Sequence, residues 1–231
     1  MKNLLYIFVL FSTSIFANDV SDEAKFIHAT KNFNVWEYKF SAGLSITKMP
    51  LEVVEEEINQ SPLIVLNARL GLPLNFSLKS QFEMNVLTNS MDLELMWSKE
   101  FSIISMALSG KSKVWIGNLD FSPFDINATG LILYPTFKLS IDRKEYLMTF
   151  EVESQSSWIF TRSNDIELGQ DFNLFNGIGV SLSIEQALWN NNWVVNSIKL
   201  NYVKSHYQSW LSYSTIDEFF LYPEITFSFI L

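Results

Sequence analysis

The chain has 231 residues, a net charge of −9, 48% hydrophobic and 15% aromatic residues, and no cysteine. That balance excludes a partner bound through phosphate neutralisation, disulfides and thiolate metal sites. Beyond the N-terminus it also excludes the ~20-residue apolar runs that a helical membrane span requires. The length allows one domain, or two small ones, with a sizeable core.

Residues 1–17, MKNLLYIFVLFSTSIFA, place Lys2 before an apolar stretch from Leu4 to Phe11 and small residues around Ala17. This order is that of a secretory signal peptide, with cleavage expected after Ala17. The stretch is too short to anchor the chain in the inner membrane. Residues 18–33 are expected to form an N-terminal periplasmic segment, in which His28 is a loop histidine without a function. Residues 34–231 are expected to form the folded unit.

From there the chain alternates apolar and polar residues with the two-residue period of a strand. Trp36, Tyr38, Phe40, Ala42, Leu44 and Ile46 share one face, and Ile64, Leu66, Ala68, Leu70 and Leu72 another. Phe76, Leu78, Phe82, Met84 and Val86 follow after Pro73, and weaker strands are expected near 91–98 and 101–109. The pattern returns at Leu131, Leu133, Phe137, Leu139 and Ile141, then at Tyr146, Met148, Phe150 and Val152. It continues at Ile178, Val180, Leu182 and Ile184, at Ile198, Leu200 and Tyr202, and at Pro223, Ile225, Phe227, Phe229 and Leu231.

Ten strands of this kind, with charges on the second face, read as an all-β, antiparallel up-and-down transmembrane β-barrel, with eight or twelve strands as variants. Short links at 73–75, 98–100, 142–145 and 187–192 alternate with links at 48–61, 88–90, 110–128, 161–174 and 206–217, four of them long. Such alternation is expected of periplasmic turns and outer loops. Each unpaired N–H or C=O costs several kcal/mol in lipid, so the first and last strands are expected to pair. A secreted β-sandwich is the soluble alternative.

The last residues, Tyr222-Pro-Glu-Ile-Thr-Phe-Ser-Phe-Ile-Leu231, resemble the C-terminal signal of small Gram-negative outer-membrane β-barrel proteins. Phe227 and Phe229 match that signal, and Leu231 stands where an aromatic residue is usual. The segments Leu133–Leu139 and Ala68–Leu74 look like other barrels of that kind. The resemblance implies a location in the outer membrane, lipid contacts and recognition by the barrel-assembly machinery.

The inward face is expected to carry a lumen charge cluster of Arg69, Lys79, Glu83, Lys138, Glu151, Glu153 and Lys199, either as a salt-bridged plug or as a polar path. Phe137, Phe150, Leu182, Leu200 and Phe227 are expected to face lipid, opposed to inward Lys138, Glu151, Ser181, Lys199 and Thr226. Phe137→Arg is accordingly expected to harm assembly far more than Lys138→Gln. Trp115, Phe121 and Phe124 in 110–128 are expected to form a mouth loop, and Glu52 to Glu57 a solvated acidic loop. Trp97, Trp158, Trp189, Trp193 and Trp210 suit interfacial girdles. No GxSxG, HExxH or metal-ligand spacing occurs, so no cofactor or metal is expected. The functional expectation is a non-enzymatic narrow channel or a structural or binding component. The alternative is a barrel enzyme acting on lipid or peptide through His206, flanked by Ser205 and Ser209.

Overall fold

The computed structural model describes residues 26–53, 59–121, 124–143, 146–163, 166–188, 192–212 and 218–231. Residues 1–17, where a signal peptide is expected, Trp189 and Glu55 to Glu57 lie outside them. Among the described residues ten strands close into one barrel in which every neighbouring pair is antiparallel. They are β1 Tyr38–Lys48, β2 Gln60–Gly71, β3 Phe76–Met84, β4 Thr88–Phe101, β5 Ile104–Phe121, β6 Phe124–Arg143, β7 Tyr146–Ser163, β8 Ile166–Ala187, β9 Trp193–Val203 and β10 Phe220–Ile230. Closure runs through β1 and β10, from Ser41 opposite Ile230 to Thr47 opposite Glu224. A single closed sheet replaces the sandwich alternative.

The period of two explains which face is which. On β4 the burial pattern alternates from Thr88 to Trp97, with Met91, Leu93, Leu95 and Trp97 exposed and Ser90, Asp92, Glu94 and Met96 buried. The expected lipid-facing residues Phe137, Phe150, Leu182, Leu200 and Phe227 are all exposed, while Lys138 and Ser181 are buried. An exterior this apolar around a charged interior inverts a soluble barrel, and it is the surface a bilayer solvates. Turn chemistry fits too: Leu74 and Asn75 both take positive φ, 61° and 63°, as a two-residue hairpin of the right twist requires.

Two expected loops are strands instead. Residues 110–121 and 124–128 belong to the β5–β6 hairpin, with Lys113 opposite Ile132 and Trp115 opposite Gly130. Most of 161–174 belongs to the β7–β8 hairpin. Two glycines of this hairpin, Gly117 and Gly130, are sites of close approach. A Cβ on Gly117 would lie 2.3 Å from a Trp210 ring carbon, and one on Gly130 would lie 2.2 Å from Trp115 Nε1. Glycine here makes room for inward indoles. The turn expected at 98–100 falls at 102–103, where Ser102 has φ 57°, and the outer link expected at 88–90 falls at 85–87.

Strands β5 to β8 contain 18, 20, 18 and 22 residues. A tilted strand needs only ~9–11 residues to span the hydrocarbon, so these four project beyond it as a wall of two hairpins. The β7–β8 register jumps between Gln155, opposite Gly177, and Ser157, opposite Asn173. That bulge turns Asn176 inward, where its carboxamide holds Ser205. Its Oδ1 accepts from Ser205 N at 3.1 Å and from Ser205 Oγ at 2.7 Å, and its Nδ2 donates to Ser205 O at 2.8 Å.

Candidate functional site

The lumen is the candidate site, and three layers of chain fill it. At the end carrying both termini of the barrel, residues 26–34 fold back inside the wall. Of the N-terminal segment expected at 18–33, residues 26–33 are described, and Phe26, Ile27, Ala29 and Phe33 pack with Leu147, Ala187, Trp193, Val195 and Ile230. At the other end, the chain after β9 turns inward through a short 3₁₀ segment, Tyr207–Ser212. Tyr207 and Trp210 pack there with Trp115, Ala128, Ile132, Tyr134 and Ile159. Trp210 Nε1 donates to Thr88 Oγ1 at 3.2 Å.

The charge network lies between the two layers. Lys111 Nζ is 2.7 Å from Glu153 and 3.9 Å from Glu151, and Lys199 Nζ is 2.5 Å from Glu153. Lys138 Nζ bridges Glu94 at 2.6 Å and Glu151 at 3.0 Å. Lys113 Nζ meets Glu83 at 2.6 Å and Asp92 at 3.5 Å. Glu83 also accepts from Tyr207 Oη at 2.6 Å, from Ser90 Oγ at 3.0 Å and from Gln81 Nε2. Lys111 and Lys113 each stand over an aromatic ring, Tyr134 at 4.3 Å and Tyr207 at 4.1 Å. Buried charges persist only when paired and hydrogen-bonded. The register supplies two of these partners directly, with Lys113 opposite Asp92 and Lys138 opposite Glu151, and the others meet across the lumen between strands that are not paired at those positions.

The expected cluster is thus placed as follows. Glu83, Lys138, Glu151, Glu153 and Lys199 join this network. Arg69 lies apart, holding the N-terminal segment by donating to Ala29 O and Lys31 O. Lys79 meets His28, Nζ to Nδ1 at 3.1 Å. The sequence reading missed Lys111, Lys113, Asp92 and Glu94. The first two fall in a stretch that reads as a loop, although Lys111, Lys113 and Trp115 keep strict two-residue spacing. Asp92 and Glu94 alternate with Met91, Leu93 and Leu95, a signal that is present in the weaker strand. Trp115 is not in a mouth loop but is an inward strand residue, 1% exposed. Phe121 and Phe124 are paired positions at the tip of the β5–β6 hairpin. Trp97 and Trp158 face outward, whereas Trp193 and Trp210 are buried inside. The first packs on the N-terminal segment and the second over Gly117.

A polar cavity of about 80 Å³ remains between the layers, lined by His28, Lys79, Lys138, Glu151, Ser181 and His206 among others. That is room for several waters. His206 is buried and stacks on Tyr222, centroids 4.7 Å apart. Its Nδ1 makes no hydrogen bond among the described residues. Ser205 Oγ is spent on Asn176, and Ser209 Oγ donates to the backbone O of His206 at 3.0 Å. Neither serine therefore forms the nucleophile–base pair that covalent hydrolysis needs. Burial, reinforced by Lys113 and Lys199, pushes the His206 imidazole down to about 3, so it is neutral. Burial and then the Lys79 charge hold His28 well below the usual histidine range. Lys79 accordingly donates to an unprotonated Nδ1. Among the described residues no group of histidines and carboxylates has the geometry of a metal site.

At the C-terminus Phe227, Phe229 and Leu231 are exposed on the outer face. Phe227 and Phe229 make an edge-to-face pair at 5.0 Å.

No protein-family model matches the chain, and no curated protein matches it at a significant level. Among solved structures it is similar to Neisserial surface protein A, at 9% identity and TM-score 0.39, over 84% of this chain and 96% of that one. It is also similar to Ail, the attachment invasion locus protein of Yersinia pestis, at 9% identity and TM-score 0.27, over 86% and 100%. A third is the outer-membrane expressed OmpT of Vibrio cholerae, at 6% identity and TM-score 0.22, over 84% and 95%. The ten-strand barrel is established by this chain's own strand pairing.

Proposed function

We propose that the protein is an outer-membrane barrel that works without chemistry, as a structural or binding component whose lumen is closed rather than as an open channel. The observation that carries this is the filling of the lumen from both ends, around a network in which each buried carboxylate of the central layer meets a lysine. Ions crossing such a lumen must displace packed chain or break charge pairs, and breaking one buried pair costs ~3–5 kcal/mol. The outer-membrane assignment is supported by the apolar exterior, the export signal read in residues 1–17 and the final strand with Phe227 and Phe229. Its partners are then outer-membrane lipids and the barrel-assembly machinery.

Planar-bilayer recording tests the closed lumen. Purified protein should give no steady conductance across the usual voltage range, and a stable ohmic conductance would refute the reading. Fractionation tests the location: the mature protein should partition with the outer membrane, and recovery in the soluble periplasm without detergent would overturn it.

A further inference from the structure

The wall of the barrel is complete from Tyr38 to Ile230. Residues 26–34 add no strand to it, yet they are held inside its mouth at both donor and acceptor positions of their backbone. Glu185 on β8 accepts from three consecutive N–H groups, those of Ile27 at 2.6 Å, His28 at 2.9 Å and Ala29 at 2.7 Å. Across the lumen Arg69 on β2 donates to the carbonyls of Ala29, of Lys31 at 2.9 Å and of Ile27 at 3.4 Å. Ser140 Oγ takes the Thr30 N–H at 2.8 Å, and Thr30 Oγ1 lies 2.6 Å from Ser105 Oγ. Side-chain selection is confined to a few places. Phe26 and Phe33 clasp the Arg69 guanidinium, at 5.7 and 4.4 Å from their centroids, Ala29 is fully enclosed, and Lys31 pairs with Asp142 at 2.5 Å.

Capture of successive backbone N–H groups by one anionic group, with a few side-chain pockets beside it, is a way to hold a bent peptide segment. A carboxylate that accepts three backbone N–H groups is otherwise costly to bury, so Glu185 depends on a peptide lying in the mouth. We infer that the mouth at the terminal end of the barrel is a binding site for a short bent peptide, with the chain's own residues 26–34 as its resident ligand. The class of ligand is a short segment with two aromatic residues seven apart, a small residue between them and a cation after it. The same segment supplied from outside the chain is the simplest member of that class. The inference deepens the binding role proposed above but rests on occupancy of the mouth, not on whether the lumen conducts, so the bilayer recording and the experiment below fail separately.

The sequence has no cysteine, so one introduced thiol reports the site in the full-length protein. Ser105→Cys places it beside the Thr30 position. The probe is a synthetic peptide of residues 26–34 with cysteine at position 30, supplied as its mixed disulfide with thionitrobenzoate. Attack by the introduced thiolate at position 105 on the peptide sulfur forms the protein–peptide disulfide and releases one coloured thionitrobenzoate. Capture should reach one equivalent. Weakening only the resident ligand, with Phe26→Ala and Phe33→Ala in the chain, should speed capture at least ~10-fold, because apparent affinity scales with the fraction of empty sites. In that Phe26→Ala, Phe33→Ala chain a scrambled peptide should react at least ~10-fold more slowly, and adding Glu185→Gln should slow capture of the ordered one. Equal capture of ordered and scrambled peptides would overturn the inference. So would a thiol that, in the Phe26→Ala, Phe33→Ala chain, reacts with the free thionitrobenzoate disulfide but never with the peptide, or reacts with neither. The scrambled-peptide comparison stands even if Glu185→Gln fails to fold.

Discussion

Lys138→Met is the perturbation that most directly weighs the charged lumen. Lys138 is 2% exposed, with Nζ 2.6 Å from Glu94 and 3.0 Å from Glu151. Methionine keeps most of the volume and removes the charge, leaving two carboxylates with less compensation. Among the described residues Glu94 would keep a hydrogen bond from Ser109 Oγ at 2.6 Å but no ion pair, and Glu151 would keep Lys111 at 3.9 Å. Removal of one member of a buried pair costs ~3–5 kcal/mol, enough to change the folded-to-unfolded ratio by a factor of ~10²–10⁴. Urea unfolding of detergent- or liposome-embedded protein, followed by tryptophan fluorescence and by folded-versus-unfolded gel migration, measures this. Lys138→Met combined with Glu94→Leu should cost at least ~1 kcal/mol less than the sum of the singles, since the pair is removed together. A Lys138→Met midpoint equal to wild type, or strict additivity in the double variant, would mean that the lumen is hydrated enough to screen these charges. The expectation that lumen substitutions are mild is thereby revised: Lys138→Gln, which keeps a donor but loses the charge, should cost nearly as much as a lipid-face defect.

Phe137→Arg puts a cation between Leu108 and Val152, its exposed apolar neighbours across β5 and β7. Near mid-bilayer it should cost ~2–4 kcal/mol, read as slower assembly and a lower urea midpoint; an unchanged midpoint would place that face in water. Gly130→Val drives a side chain into the Trp115 indole and should cost ~1–3 kcal/mol by overpacking, with a changed near-ultraviolet circular dichroism signal as the check. For His206, the unfolded chain binds a proton below about pH 6.5 that the native state refuses until about pH 3. Stability is therefore full above pH 6.5 and falls as pH drops through that window, by ~1.4 kcal/mol per unit and ~2 kcal/mol by pH 5. His28 adds in the same direction. His206→Phe should flatten the dependence between pH 7 and 5, and an unaltered slope would remove His206 as a contributor.

What the amino-acid sequence determined by itself was the strand, its face and the closure. A period of two is a local property, so Phe137 outward and Lys138 inward follow from residues next to each other. Closure follows from the cost of an open edge in hydrocarbon. Where the alternation was weaker the reading failed: residues 110–128 read as a loop although they are strand, with Gly117 making room there for an inward ring. That choice hid Lys111 and Lys113 and placed Trp115 at a mouth it does not line. The tertiary structure alone decided what fills the barrel. Which lysine meets which carboxylate depends on register summed around ten strands, and no periodicity records it. Residues 26–34 have no strand or helix pattern, and their partners lie 158 residues away at Glu185 and 40 at Arg69. Backbone groups carry most of that capture, and every residue has the same backbone, so nothing in the side-chain order announces it.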